Sequence, residues 1–447
     1  MKCIKVTHIL LIPLLVFMAG CLIRAEAEAG EAKAFTLQES IEAALERNWN
    51  VKAVEEEIRQ AEAVKDQARA DFLPKFSTSY SYTRLDDDKR TDPISLGPFE
   101  SPGSLISLRD NYQWKTSITQ PLFTGFALSS AYELGKLGID EAELGLELEK
   151  LDLILAVKQA YFRVLEADRF VEVAEKAVDS LESHVEVARS FYNVGMIPVN
   201  DLLKAEVELS NAEHDLIRAE NAALIARASF NTALARPINE AVMLEDLQTF
   251  RPETGEFSSY VEQALRQRPE IKSLEVVLEQ TAQRQRLAAS DYYPEISLNY
   301  DYIKEGDEPN VKGSRVHDAN RWQVMAVMSW TFFEWGKTRS AVREVKSARM
   351  QLLQTRSAME DNIRLEVKQA YLDLFEAEKN IPTTTKAVEQ AEENLRVSRE
   401  RYDAQVATST EVLDAQTLLT QARTNYYRAL YSHHLARARL ERALGAM

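Results

Sequence analysis

Acidic side chains and histidines carry most of the chemical capacity of this sequence, and their spacing decides what they can do. Glu411 and Asp414 stand three apart, on one face of any helix that contains them. Carboxylates gathered this closely repel unless water, cations or protons relieve them. The same pair also suits an ordinary acidic first turn, where the helix dipole favours negative charge. The histidines beyond the leader are His184, His214, His317, His433 and His434. None forms a metalloprotease-like pair with a carboxylate, and the adjacent His433 and His434 point about 100° apart on a helix. They read as surface or seam residues. No glycine-rich phosphate loop and no G-x-S-x-G element occurs. The expectation is a protein that is not an enzyme, with no catalytic residue, no metal site and no cofactor.

What such residues can do then depends on where the chain places them. Lys2, Lys5, an apolar run from Ile9 to Gly20 and small residues at its end make a secretory signal peptide. Removing it deletes two lysines and no acid, so the mature chain is more negative still than the formal charge of −16, which argues against nucleic acid as a partner. The two cysteines are Cys3, inside the signal, and Cys21, directly after it. No internal disulfide can staple the mature chain. Met18-Ala19-Gly20-Cys21 resembles a bacterial lipobox, which would make Cys21 a lipidation site and the first mature residue. Ala25-Glu26-Ala27 and Ala27-Glu28-Ala29 are alternative cleavage sites just downstream. Beyond the signal no apolar run reaches the length of a membrane-spanning helix, so a membrane role requires strands.

The chain is duplicated. Val157-Lys158-Gln159-Ala160-Tyr161 recurs as Val367-Lys368-Gln369-Ala370-Tyr371, 210 positions later, and the offset also takes Tyr192 to Tyr402 and Ala233 to Ala443. Within each copy residues seven apart repeat in kind. Val157, Val164, Val171, Val178 and Val185 run beside Ala160, Ala167, Ala174, Leu181 and Ala188; Ala415, Ala422, Ala429, Ala436 and Ala443 form an unbroken alanine row. Small residues on a sustained heptad seam let helices approach closely and wind around one another. From Phe126 to Tyr192 only isolated glycines interrupt, which allows roughly 100 Å of helix. Arg339 to Tyr402 offers a similar length, with Pro382 as the expected kink or restart. Asn200 and Thr410 are the expected N-caps of the return helices.

Pro74 and Pro294 each end a helical pattern and open an alternating one. Phe76, Thr78, Tyr80 and Tyr82 alternate with serines; Ile296, Leu298, Tyr300 and Tyr302 alternate with polar residues. Two more such segments run through Tyr112 to Thr119 and Trp322 to Phe332. Period two with one apolar face means strand, and an aromatic-rich apolar face suits the outside of an outer-membrane barrel. Four strands cannot close a barrel around a pore. Several chains must therefore contribute.

This order of helix, proline, strand pair, long helix and return helix, twice over, resembles the TolC-like outer membrane efflux protein (outer membrane factor) family. Phe72-Leu73-Pro74, Gln120-Pro121-Leu122-Phe123-Thr124-Gly125, Phe332-Phe333-Glu334-Trp335-Gly336-Lys337, Tyr192-Asn193-Val194-Gly195 and Glu411-Val412-Leu413-Asp414-Ala415 carry the resemblance. It implies a mainly α homotrimer. Four strands per chain contribute to one transmembrane β-barrel in the outer-membrane lipid, and long antiparallel helical hairpins form a trimeric α-barrel in the periplasm. It further implies a passive export duct of a tripartite efflux or type I secretion system, opened at its periplasmic tip by an adaptor protein and an inner-membrane pump. Glu411 and Asp414 match the family's gate acids, Tyr402 its tying tyrosine and Asp201 that tyrosine's partner. The family's arginine position is Ala407 and its usual glycine is Gln405, a departure from the residues that make the family's closing salt bridge. The turns at Val194, Gly195 and Met196 and at Gln405 and Val406 are where the resemblance places adaptor docking.

The expected organisation is signal 1–20, arm 21–36, helix 37–73, strand pair 74–123, helical hairpin 124–235, equatorial linker 236–257, helix 258–293, strand pair 294–333 and helical hairpin 334–447. The competing reading is a soluble periplasmic coiled-coil scaffold or adaptor. It shares the signal and the heptads but leaves the aromatic strands without a role.

Overall fold

The computed structural model describes residues 34–101, 103–246, 252, 255–316 and 318–446. The signal peptide, Cys21, His317 and parts of the arm and linker lie outside these. The chain divides into two compact units. Of the described residues, one holds those up to Arg47 with 156–252 and 377–435; the other holds 48–155, 255–376 and 436–446. No helix among the described residues is long and apolar enough to cross a membrane.

Each copy opens with a pair of helices: α1 (Leu37–Arg47) and α2 (Trp49–Ala70), then α5 (Phe257–Gln267) and α6 (Pro269–Ala289). Thr36 and Glu39 start α1 with a reciprocal capping box, in which each side chain bonds the other's backbone N–H. After Pro74 and Pro294 the backbone turns extended at β1 (Lys75–Arg84) and β7 (Glu295–Gly306); their partners are β6 (Asp110–Thr124) and β8 (Asn320–Ser329). The connection between β1 and β6 contains two short ladders, β2 (Lys89–Arg90) with β5 (Leu105–Ser107) and β3 (Ile94–Leu96) with β4 (Phe99–Ser101).

The four long strands form one antiparallel sheet in the order β1-β6-β7-β8. Its register sorts the side chains cleanly, because successive residues of a strand point to opposite faces. One face carries Phe76, Tyr80, Tyr82, Tyr112, Trp114, Ile118, Tyr300, Trp322, Val324 and Met328. Phe76 is 74% exposed and Trp322 68%. The other face is polar. Ser77, Ser117, Asp301 and Gln323 lie in one lateral row, with Asp301 bonded to Ser117 and Gln323 and paired with Lys115 at 3.0 Å. Glu305 pairs with Arg321 at 2.9 Å and accepts from Gln113. The last strand ends at Ser329, short of Phe332, because its partner β7 begins only after Pro294 and offers nothing further to pair with. Among the described residues, no strand lies beside the outer edges of β1 and β8.

Four helices make the two hairpins: α3 (Ala127–Asn193) with α4 (Val199–Ala233), and α7 (Lys337–Asp403) with α8 (Ser409–Leu444). The heptad seams are buried where expected at Val157, Val164, Val185 and Ala188, at Val367 and Leu374, and along all five alanines of α8. Between them the seam of α3 drifts: Val173 and Ala177 are buried while Val171 and Val178 are only half-buried. A 3.6-residue helix and a 7-residue repeat do not coincide over many turns. Gly135 lets α2 approach, since a Cβ there would stand 2.8 Å from the Cα of Lys65.

Pro382 does not break α7. The helix runs on through it, and Thr383, Thr384 and Thr385 donate hydroxyls to the carbonyls of Lys379, Asn380 and Ile381 in the turn beside the ring. The two repeated tyrosines each hold a neighbouring segment. Tyr161 donates to the Glu245 carbonyl at 2.6 Å beside the parallel bridge of Phe35 with Leu244, while the Tyr371 ring packs on Phe257 and Tyr260.

Candidate functional site

The two hairpin turns are copies of one backbone device. At the first, Gly195 (φ 77) bonds back to Tyr192 O and Met196 to Phe191 O; at the second, Gln405 (φ 60) bonds to Tyr402 O and Val406 to Arg401 O. This is the Schellman ending, which needs a left-handed residue after the helix. Glycine takes that conformation freely, and Gln405 takes it at a cost of roughly 1 kcal/mol. The Gln405 amide donates to Met196 Sδ at 3.0 Å, so the two turns touch. Val194, Met196 and Val406 are exposed around them.

The expected gate residues separate into different environments. Glu411 is committed: Thr408 N–H donates to its carboxylate at 3.3 Å, its own N–H donates to Thr408 Oγ1, and Arg401 pairs with it at 3.2 Å. Thr408 and Glu411 are thus the capping box of α8, in place of the expected Thr410 cap. Helix α4 begins at Val199 after Pro198 with no side-chain cap, so Asn200 does not cap it. Asp414 is exposed and lines a groove of about 490 Å³ with Asn200, Lys204, Glu208, Thr410 and Thr417. Glu411 and Asp414 therefore share a helix face but not their surroundings.

Tyr402 is buried on α7, its ring 4.9 Å from that of His184 and 5.6 Å from that of Phe191. Its hydroxyl makes no hydrogen bond among the described residues. Asp201, half-buried in the first turn of α4, acts on it only through its charge. Burial and then the negative charges of Asp201 and Asp403 raise the phenol above its ordinary range. The Tyr402 and Asp201 pair is therefore adjacent but not bonded. Leu395, Tyr402, Val412, Ala415 and Leu419 form the apolar core beneath, with Val187 and Phe191 of α3 against it.

Several polar residues here carry no signal in the sequence that marks them as partners. His184 is 6% exposed and its Nε2 lies 2.8 Å from Ser409 Oγ. Burial, then the positive charge of Arg399, lower its pKa to about 4 against the opposing pull of Asp403. Ser180, one turn earlier, donates to Gln416 Oε1 and accepts from Arg399. The spacing of Leu181, His184, Val185 and Ala188 could have placed His184 on the buried face; its partner Ser409 is 225 residues away and could not have been read locally. The site holds helices together and leaves acidic and apolar groups exposed at a turn.

Comparison with known proteins places the chain in a family. A family model described as outer membrane efflux protein matches residues 40–236 and 260–446. Outer membrane protein TolC of Vibrio cholerae is 21% identical over 298 residues, 66% of this chain and 68% of that one. Alkaline protease secretion protein AprF of Pseudomonas aeruginosa is 22% identical over 429 residues, 93% of this chain and 86% of that one. The crystal structure of the Campylobacter jejuni CmeC outer membrane channel superposes with a TM-score of 0.78 at 19% identity, covering 92% of this chain and 85% of that one.

Proposed function

The chain belongs to the outer membrane efflux protein family, and we propose from this premise that three copies assemble into one passive export duct. As a member it is an outer-membrane channel whose helices lie in the periplasm. The observation that carries the assembly is the sheet itself. It has four strands, an exposed aromatic face on one side and a polar, ion-paired face on the other. Its edges at β1 and β8 have no neighbour among the described residues. In lipid an unpaired edge leaves backbone N–H and C=O groups without partners, each costing several kcal/mol. Pairing β8 of one copy with β1 of the next removes both edges, and three copies make twelve strands. The aromatic face then meets lipid and the polar face lines the pore. A soluble scaffold would leave that aromatic face in water.

In this reading an inner-membrane pump and a periplasmic adaptor load the duct. The adaptor docks on the turns formed by Val194, Gly195 and Met196 and by Gln405 and Val406, where apolar side chains stand exposed. Tyr402, Asp201, Glu411 and Asp414 form the closing region. If Cys21 carries a lipid, that chain adds a second contact with the membrane. The test is fractionation followed by planar-bilayer recording of the purified protein. A detergent-resistant oligomer in the outer membrane that conducts as discrete channels is expected; a monomer in the soluble periplasmic fraction would refute the proposal.

A further inference from the structure

The polar face of the sheet carries charge of both signs, and the two signs sit at different depths. Lys75 and Glu295 occupy the first positions of β1 and β7, and Lys115, Asp301, Glu305 and Arg321 follow further along. Ser79, Lys115, Ile303 and Arg321 form one lateral row. Asp301 lies in the adjoining row toward the start of β7 and Glu305 in the adjoining row toward its end, so each cation reaches diagonally to its acid, Lys115 to Asp301 at 3.0 Å and Arg321 to Glu305 at 2.9 Å. Both acids are nearly covered: the Asp301 side chain is 5% exposed and that of Glu305 13%, against 37% for Lys115 and 59% for Arg321. Ser117 and Gln323 donate to Asp301 and Gln113 donates to Glu305, which holds the carboxylates down on the sheet. Arg321 gives Glu305 a single N–H of its five. A solute moving along this face therefore meets the ammonium and the guanidinium first and the carboxylates only behind them. In a chain with a formal net charge of −16, composition alone would place the opposite sign here.

We propose that Lys115 and Arg321 are specificity-determining residues of the duct: repeated in three copies, they form a cationic collar inside the barrel that favours small solutes bearing carboxylate, sulfonate or phosphate groups over cations of the same size. The collar rests on the reading of the polar face as the pore lining. Rings of Lys or Arg select anions in pores. Screening confines the effect to about 8 Å, a range over which the cation in front outweighs the acid behind it. The acids fix the collar in place, since they hold like charges in one row that would otherwise spread apart. The next chain across the edge of β8 leaves Arg321 room, because the residues of β1 on this face include Ser77, Ser79 and Ser81.

The experiment is reversal-potential measurement on the full-length protein in planar bilayers under a potassium chloride gradient. Lys115→Gln combined with Arg321→Gln should raise the preference for potassium over chloride severalfold, whereas Lys115→Arg combined with Arg321→Lys, which keeps both charges, should give the wild-type value. A role confined to holding the sheet would weaken the trimer on gels and leave the reversal potential of the conducting channels unmoved, and that result would overturn the collar. Should the first pair of substitutions fail to assemble, Ser79→Cys tests the same row with every charge kept. An anionic methanethiosulfonate should modify it severalfold faster than a cationic one, each rate being taken relative to that with a free thiol. Equal relative rates, or a faster cationic reagent, would overturn the collar while leaving the duct intact. A wild-type protein that forms no conducting oligomer would overturn the duct, and the collar with it.

Discussion

Acid should loosen the hairpin tip through one side chain, His184. Its ring is buried between Tyr402 and Ser409, faces Arg399 and Asp403 of α7, and has a pKa held at about 4 by burial and Arg399. In the unfolded or opened chain the same imidazole titrates near 6.5. Between these values the open state binds the extra proton, so stability is complete above about pH 6.5 and falls as pH drops through the window. At about 1.4 kcal/mol per pH step, the loss at pH 5 is about 2 kcal/mol per chain, approaching about 3 kcal/mol below pH 4. The assay is hydrogen exchange of the amides at the start of α8, corrected for intrinsic rates, at pH 7.5 and pH 5. Opening should become about 30-fold more frequent in the wild type. His184→Gln keeps an amide that can bond Ser409 but does not titrate, so it should lack most of that change. Identical pH dependence in the two proteins would refute the assignment.

Two further substitutions separate neighbouring roles. Glu411→Ala should lower stability by about 1 kcal/mol, since Glu411 closes the capping box of α8 and pairs with Arg401. Asp414→Asn should leave stability alone and weaken block by multivalent cations in bilayer recordings; equal effects of the two on both readouts would contradict the separation. Pro382→Ala should raise the melting temperature without altering conductance, because α7 is already continuous there and an exposed helical proline costs up to about 3 kcal/mol relative to alanine. A fall in melting temperature would show that the ring itself is needed.

The strands are legible in the sequence because period two and the prolines at 74 and 294 are local signals, and the duplication is legible because 210 is a whole number of heptads. The same duplication carries a subtler signal: it pairs Gln405 with Gly195, which marks Gln405 as a left-handed residue despite its side chain. Thr408 and Glu411 spell a capping box, yet in the sequence alone Thr410 is an equally suitable cap. Pro382 misleads because a proline removes a single backbone bond, and the long helix continues on either side of it. The Ser180, Arg399 and Gln416 relay is out of reach of sequence, since it joins three helices through residues more than two hundred positions apart. Heptad drift hides the shift of the seam to Val173 and Ala177.

The shared barrel can be tested at its seam. Ser79 of β1 and Gln323, Met325 and Val327 of β8 all lie on the polar face, so cysteines placed at Ser79 and at one of these three in turn can meet only if the edge strands of different chains pair. Oxidation in intact outer membranes should link chains into covalent dimers and trimers at one register, with no larger ladder. Absence of any interchain product at all three registers would contradict the shared barrel.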